Sequence, residues 1–284
     1  LMNYPKYSRE SFPGVFKDRL DNQNRDKNYP DFLATVRLST QQINDYVSVN
    51  GGFHLTGNEI GVDAPKGEIC VVEFRDPSSQ KLLALYKPKS LKVAVPNKIF
   101  GGLGSLIIFT TNDSIFHPAV EVEYKIQSNT LEARTGLDIV SDIPFTLGNQ
   151  NMIVEAEILR WPLDSREIEF NLFNDSRTKS VNIISDKYFS YESFQNTGMR
   201  FGNSEIEKIY DSYSGELRGA SLSAKALGKI LAPSVPYRQQ FSNFYRLMAN
   251  GFIGFNEAEE RVDLLPKIIL YVEALRKTSD FDEM

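Results

Sequence analysis

The chain has 284 residues, a formal net charge of −5, 41% hydrophobic residues and 24% charged residues. These values are typical of a globular protein with a sizeable core, so they argue against an intrinsically disordered chain. The acidic balance does not favour a protein that coats nucleic acid, because such proteins are usually basic, although a local basic face stays open.

Cysteine usage and the apolar runs bear on location. The single cysteine, Cys70, stands in the apolar run 69–72, where a small buried hydrophobe is expected, and no intrachain disulfide can form. Residues 1–6 lack the apolar segment of a secretory signal, and no apolar run approaches the length of a membrane span. We therefore expect a cytoplasmic or otherwise intracellular protein that is not secreted.

Residues 1–30 are polar and aromatic, and we expect an N-terminal arm there. Short runs with period-two alternation follow from residue 31 and predict strands. The clearest runs from 120 to 126, where Val120, Val122 and Tyr124 share one face and Glu121 and Glu123 the other. The other predicted strands cover residues 32–38, 69–75, 82–86, 91–95, 105–111, 152–160 and 168–172, with a hairpin turn at 76–80 and a tight turn at 101–105.

The period becomes helical from about residue 204, where Ser204 and Glu207 form a capping box. A second helix is predicted from Leu222, Ala226 and Ile230, and a third over 241–248. The last helix is expected to open at Asn256 and to be kinked or split at Pro266.

Together these elements predict an α+β fold, in which an antiparallel, β-rich barrel or sandwich body is followed by a helical C-terminal region. The expected domains are an arm over 1–30, a β-rich domain over 31–200, and a helical region over 201–284 packed on it.

The chain has two histidines, His54 and His117, and neither has a His or Cys neighbour at metal-ligand spacing. A zinc site of the usual Cys/His type is therefore excluded unless carboxylates complete it. A Ser-His-Asp triad needs only one histidine, but no G-x-S-x-G elbow supports one.

A carboxylate–lysine set needs no histidine. Glu123 and Lys125 have the E-x-K form of PD-(D/E)xK nucleases, and Asp113 lies ten residues earlier, in a turn before the same strand. Two carboxylates there could hold Mg²⁺ while the lysine steadies the attacking water. The alternative is that alternating charges merely decorate the exposed face of a strand.

A basic and aromatic stretch in the helical region is the other candidate surface. Lys229, Arg238 and Arg246 stand among aromatic residues that include Tyr237. A nucleic acid or another anionic surface could bind there, or the aromatic residues could point inward and the bases outward.

Short segments between residues 12 and 131 resemble, in a similar order, the N-terminal domain of the Ufd1 family of ubiquitin-binding adaptors. They are Phe12–Leu20, Val36–Ser39, Val71–Phe74, Val93–Pro96 and Gly104–Ile107. The resemblance implies a β-barrel with an α/β lobe. The helical last quarter lies outside it, and the spacing before Gly104 is shorter than the family's. No site residue is carried over.

Three functions follow. The first is a non-catalytic structural or assembly protein, such as a component of a virion or other particle, which binds protein partners or itself and needs no cofactor. The second is the Mg²⁺-dependent nuclease with Asp113, Glu123 and Lys125, and the third is a Ufd1-like ubiquitin-binding adaptor. The sequence leans towards a protein that is not an enzyme.

Overall fold

The computed structural model describes residues 1–2, 11–18, 30–39, 43–57, 59–63, 69–94, 97–136, 143–150, 152–173, 180–185, 194–195, 202–213, 221–257 and 259–278. The chain divides into two compact units. The first consists of Leu1–Gly136 with Ala156–Val181, and the second of Leu137–Glu155 with Asn182–Met284.

Strands account for most of the regular structure. They are β1 (Gly14–Asp18), β2 (Pro30–Ala34), β3 (Leu38–Ser39), β4 (Val47–Gly51), β5 (His54–Thr56), β6 (Glu59–Asp63), β7 (Val71–Arg75), β8 (Leu82–Pro88), β9 (Ser90–Ala94), β10 (Lys98–Phe109), β11 (Ser114–Lys125), β12 (Thr130–Thr135), β13 (Phe145–Leu147), β14 (Met152–Glu155), β15 (Ile158–Pro162), β16 (Glu169–Asn171), β17 (Asn182–Ser185), β18 (Ser221–Ser223), β19 (Ile253–Asn256) and β20 (Arg261–Leu264).

The helices lie in the C-terminal part of the chain. They are α1 (Asn203–Tyr213), α2 (Ala224–Leu231), α3 (Phe241–Ala249) and α4 (Lys267–Leu275), with a 3-10 turn at Tyr237–Gln240 before α3. The predicted strand-rich chain with antiparallel pairing and a helical C-terminal part is confirmed. No helix in the described ranges is both long and apolar enough to cross a membrane.

Strand β10 is the branch point of the first unit. One of its edges pairs with β11, while the other pairs with β9 through Lys98–Gly101 and then with β8 through Gly104–Ile108. The sheet continues from β9 through β6, β5 and β2 to β1, and from β8 through β7 and β4 to β3. On the other side it continues from β11 through β12 and β15 to β16. These pairings form no closed ring among the described residues, so the barrel or sandwich form stays a prediction.

The predicted tight turn at 101–105 is wrong, because these residues lie inside β10. Glycine is needed there for close approach rather than for a turn. A Cβ atom on Gly101 would lie 2.3 Å from the Tyr86 ring, and one on Gly104 would lie 2.5 Å from the carbonyl oxygen of Lys87. The glycines therefore allow β10 to pass from β9 to β8 without steric conflict.

The predicted hairpin at 76–80 is confirmed, since it joins the paired strands β7 and β8. The Asp76 carboxylate accepts hydrogen bonds from the backbone N–H groups of Ser78 and Ser79, at 3.0 and 2.7 Å. Bonds from the side chain of Ser78 and from Ser79 lower the pKa of Asp76 to about 2. This local bonding is what makes aspartate a turn-forming residue.

Two predicted strands have different bounds. Residues 152–160 form two strands, β14 and β15, which lie in different units and are separated at Ala156 and Glu157. The strand expected over 32–38 ends at Ala34, and β3 begins only at Leu38. In each case the apolar alternation continues across a break that the sequence pattern does not mark.

The second unit contains the antiparallel pairs β13–β14 and β14–β17 and a three-stranded antiparallel sheet with the order β18–β20–β19. Leu222, expected in a helix, lies in β18, and α2 begins after Ser223, whose hydroxyl accepts a hydrogen bond from Ala226 N–H at 3.2 Å. The helix expected to open at Asn256 is also wrong, because β19 and β20 form a hairpin there. Pro266 does not interrupt a helix but directly precedes α4. Proline is tolerated at the start of a helix, because the first residues of a helix have no partner within it for their N–H groups.

Candidate functional site

A row of directly opposed residues crosses the first unit from β1 to β16. In order it contains Val15, Leu33, His54, Gly61, Lys92, Phe100, Glu123, Glu132, Arg160 and Glu169. The next row lies on the opposite face, because side chains alternate along a strand. It runs through Ile60, Val93, Ile99, Tyr124, Leu131 and Trp161, all of which are buried. The first row is therefore the outward face, with an apolar end at β1 and a charged end at β10–β16.

Glu132 is the centre of the charged end. Its side chain is only 2% exposed, although it lies on the outward face. One oxygen accepts hydrogen bonds from Arg134, and the other lies 3.2 Å from Arg160 and 3.4 Å from Lys125. These three cations are each between about a third and a half exposed, so they cover the carboxylate while reaching water themselves.

The electrostatics at Glu132 follow from this packing. Burial alone raises the pKa of its carboxyl group, but the hydrogen bond and charge of Arg134, with Lys125 and Arg160, outweigh burial and hold the pKa below its ordinary value. The carboxylate therefore stays ionised at neutral pH, which suits an ion-pair centre and not a proton donor.

Glu123 and Lys125, two of the three predicted nuclease residues, lie together beside this centre. The Lys125 Nζ atom is 4.0 Å from Glu123 Oε1, and Lys98 on β10 is closer, at 2.8 Å. Glu123 also lies directly opposite Glu132. The two carboxylates are thus adjacent, but cations already occupy the positions around them.

Asp113, the third predicted residue, lies elsewhere. It belongs to the turn between β10 and β11, where its backbone N–H donates to Thr110 Oγ1 at 3.0 Å. Glu123 lies ten residue steps further along the chain, on the extended strand β11, which corresponds to roughly 30 Å at about 3.3 Å per residue. The structure therefore does not bring Asp113 and Glu123 to one metal site. Within the described ranges there is no group of three or more His, Cys, Asp or Glu side chains suited to a metal ion.

The two histidines are held in different ways. His54 lies in the outward row, its Nδ1 atom 2.8 Å from Asp63, and its ring covers Gly61, where a Cβ atom would lie 2.0 Å from the imidazole. His117 is fully buried, and its Nδ1 atom accepts a hydrogen bond from Ala119 N–H at 3.1 Å. That bond leaves the Nδ1 atom of His117 unprotonated and ties the ring to its own strand.

The apolar end of the row is exposed. Val15 and Leu33 oppose each other on β1 and β2 and are 47% and 51% exposed. Phe16, on the other face of β1, is 64% exposed, whereas its cross-strand partner Phe32 is 5% exposed. Large apolar side chains are thus open on both faces of β1, which is unusual for a strand that ends a sheet, as β1 does among the described residues.

The basic and aromatic stretch lies in the second unit. Tyr237 and Arg238 both bond the carboxylate of Glu260 at 2.8 Å. Lys229, in the last turn of α2, and Arg246, in the last turn of α3, are exposed. The nearby aromatic residues Phe244 and Tyr245 are buried. The bases therefore point outward and most of the aromatic surface points inward, which leaves little of it for stacking a nucleic acid base.

Sequence reasoning missed most of the outward face. Alternation in Thr130–Thr135 could have placed Glu132 and Arg134 together, but the pairing of β12 with β15 brings in Arg160 from 28 residues away. Val15 and Phe16 fall in the arm that the polar and aromatic composition of residues 1–30 predicts, whereas the structure places them in β1, paired with β2.

Comparisons with known proteins give no family. No family model matches the chain, and no curated protein matches it. Among solved structures, the chain is similar to LptH, the LptA homologous periplasmic component of the lipopolysaccharide transport device from Pseudomonas aeruginosa. The match has a TM-score of 0.32 and 8% identity and covers 49% of this chain and 93% of that one. At this TM-score the likeness supports no conclusion about fold or function.

Proposed function

We propose that the chain is a non-catalytic structural or assembly protein that acts through protein–protein contacts, as a component of a virion or another particle does. The observation that carries the proposal is the exposed apolar end of the first unit, formed by Val15, Phe16 and Leu33. Apolar surface of this kind is stabilised when another protein surface covers it.

The charged end of the same face supports a role without catalysis. Glu123 and Glu132 form ion pairs with surrounding Lys and Arg side chains. Such pairs hold the strands in register and shield the carboxylates, whereas a general acid or base needs a group that can exchange its proton near neutral pH.

Self-association is the test of this proposal. Sedimentation velocity and light scattering over a wide concentration range should show reversible assembly of the wild-type chain. The Leu33→Lys variant should remain monomeric at concentrations where the wild type assembles. Leu265→Lys is the matched control, because Leu265 is a similarly exposed leucine of the second unit, at 37%. A wild-type chain that is strictly monomeric at the highest concentration would overturn the proposal.

The two other functions stay predictions. A nuclease would cleave DNA with Mg²⁺, and Glu123→Ala would abolish cleavage. A Ufd1-like adaptor would bind ubiquitin in a calorimetric titration. No contact within the described residues favours either function over assembly, and the intracellular location likewise stays a prediction.

A further inference from the structure

We propose that β1 pairs antiparallel with β1 of a second copy of this chain, with the two-fold axis passing through Phe16. This inference rests on the proposed assembly function and names the partner and the register of the contact. It is carried by three properties of β1, which concern its backbone, its apolar side chains and its charges.

Among the described residues, the backbone of Gly14–Asp18 has one edge in use, whereas two residues earlier Phe12 exchanges hydrogen bonds of 2.9 and 3.0 Å with Met2 on the opposite edge. The N–H of Thr35 donates to the carbonyl oxygen of Pro13 at 3.1 Å, so odd-numbered residues of this segment direct their backbone groups towards β2. In an antiparallel ladder the direction alternates from residue to residue. Gly14 and Phe16 therefore direct their N–H and C=O groups towards the opposite edge, and in the described part of the chain β2 is the strand paired with β1.

The side chains of β1 complement themselves in this register. Phe16 lies opposite Phe16 of the second copy, so the row from Phe32 to Phe16 continues across the two-fold axis. Two rings that are each 64% exposed would then cover one another. Cross-strand aromatic pairs are among the stabilising pairs of antiparallel sheets.

The charges select the same register. With the axis at Phe16, Val15 of one copy opposes Lys17 of the other, so no like charges face each other between residues 15 and 17. Lys17 also lies opposite Asp31 within its own sheet. An axis at Lys17 would place two lysines opposite each other, which destabilises a strand pair. It would also need the N–H and C=O groups of Lys17 for the interface, although they already face β2.

Disulfide trapping tests the register. Opposed residues of a hydrogen-bonded antiparallel pair have Cα atoms about 5.5 Å apart, within disulfide range. Phe16→Cys should therefore crosslink to itself under mild oxidation. The control, Val15→Cys, is similarly exposed but would lie two residues out of register with its copy, beyond the limit of about 7 Å for a disulfide. Both are made with Cys70→Ala.

The inference predicts at least about tenfold more covalent dimer for Phe16→Cys than for Val15→Cys, because only the first satisfies disulfide geometry. Mixing Val15→Cys with Lys17→Cys should give a crosslinked heterodimer, since these positions oppose each other. Equal crosslinking of the two single variants, or none for Phe16→Cys, would overturn the β1 pairing. Sedimentation of the uncrosslinked wild type separates that outcome from failure of the assembly function itself.

Discussion

The ring of Tyr86 fills the space in which any other residue at position 101 would place its Cβ atom, since a Cβ on Gly101 would lie 2.3 Å from Tyr86 Cε1. Tyr86 is 2% exposed and its hydroxyl donates to the carbonyl oxygen of Gly102. The ring therefore has little freedom to move. Gly101→Ala should lower the free energy of unfolding by about 1–3 kcal/mol, the usual cost of overpacking a core. Urea unfolding followed by circular dichroism measures it.

Gly102→Ala is the matched control for that substitution. The nearest atoms to a Cβ on Gly102 are 3.8 Å away, which is ordinary contact. The variant should unfold within about 1 kcal/mol of the wild type, because Ala fits and restricts the unfolded chain. Equal destabilisation by both variants would contradict the role assigned to Tyr86.

The second prediction concerns Glu132. Replacing it by Gln removes the charge that Lys125, Arg134 and Arg160 share, and should cost about 1.5–3 kcal/mol at neutral pH, the range for hydrogen bonds to charged groups. Above the ordinary carboxyl pKa of 4.5 the folded and unfolded chains both carry the charge, so the stabilisation is complete. As pH falls, the unfolded chain takes up its proton first, and the stabilisation is lost as pH passes the lower pKa of the folded chain.

The difference in unfolding free energy between wild type and Glu132→Gln should therefore be largest near neutral pH and shrink below about pH 4.5. Glu121→Gln is the control, because Glu121 lies on the neighbouring strand β11, opposite Arg134, and is exposed. A difference that grows on acidification, or an equal effect of the control, would disprove the assigned electrostatics.

The third prediction concerns Glu260, which has a φ of +49° in the turn between β19 and β20. Its carboxylate bonds Tyr237 and Arg238, and its carbonyl oxygen accepts from Ala224 N–H at 2.7 Å. Glu260→Ala loses the side-chain bonds and keeps the left-handed backbone. Glu260→Gly loses the same bonds but relieves the backbone, so it should be more stable than Glu260→Ala by about 1 kcal/mol. Thermal unfolding of both variants measures the difference. A Glu260→Ala variant that is as stable as Glu260→Gly, or more stable, would contradict backbone strain in this turn.

The fourth prediction concerns the thiol of Cys70, which is fully buried. Burial, with the nearby Asp63 carboxylate, raises its pKa from 9.0 to about 12. At pH 8 the thiolate fraction of Cys70 should be roughly a thousandfold lower in the folded protein than in the unfolded chain, because each pKa unit is tenfold. Mass spectrometry should show negligible alkylation by iodoacetamide in the native protein and rapid alkylation in guanidinium. Native alkylation within tenfold of the unfolded rate would contradict this burial.

The sequence predicted the parts of the fold that depend on local pattern. The alternation from Val120 to Tyr124 is confirmed by β11, and the Asp76 turn by the β7–β8 hairpin. It failed where two local patterns compete. Val262 fits a helical stripe together with Leu265 and Ile269, but Val262 and Leu264 also alternate with Arg261 and Asp263, and pairing with β19 decides for the strand.

The candidate site could be predicted only in part, because strand pairing is not local. Glu123 and Lys125 share a face by period alone, and the structure places them together. Arg160 and Lys98 join them through pairings that no sequence spacing reveals. Asp113 was grouped with Glu123 by distance along the sequence, although an extended strand carries two such residues far apart.

The pairings that build the first unit also bear on how quickly it folds. Strands β2 and β5, β4 and β7, β6 and β9, and β12 and β15 are neighbours in space but not in sequence. Each must close a long loop before its contacts stabilise it, so folding should be slow compared with that of a helical protein of similar stability. During that interval the apolar side chains of β1 and β2 would be open to neighbouring chains, and synthesis at low temperature and low expression level should raise the yield of native protein.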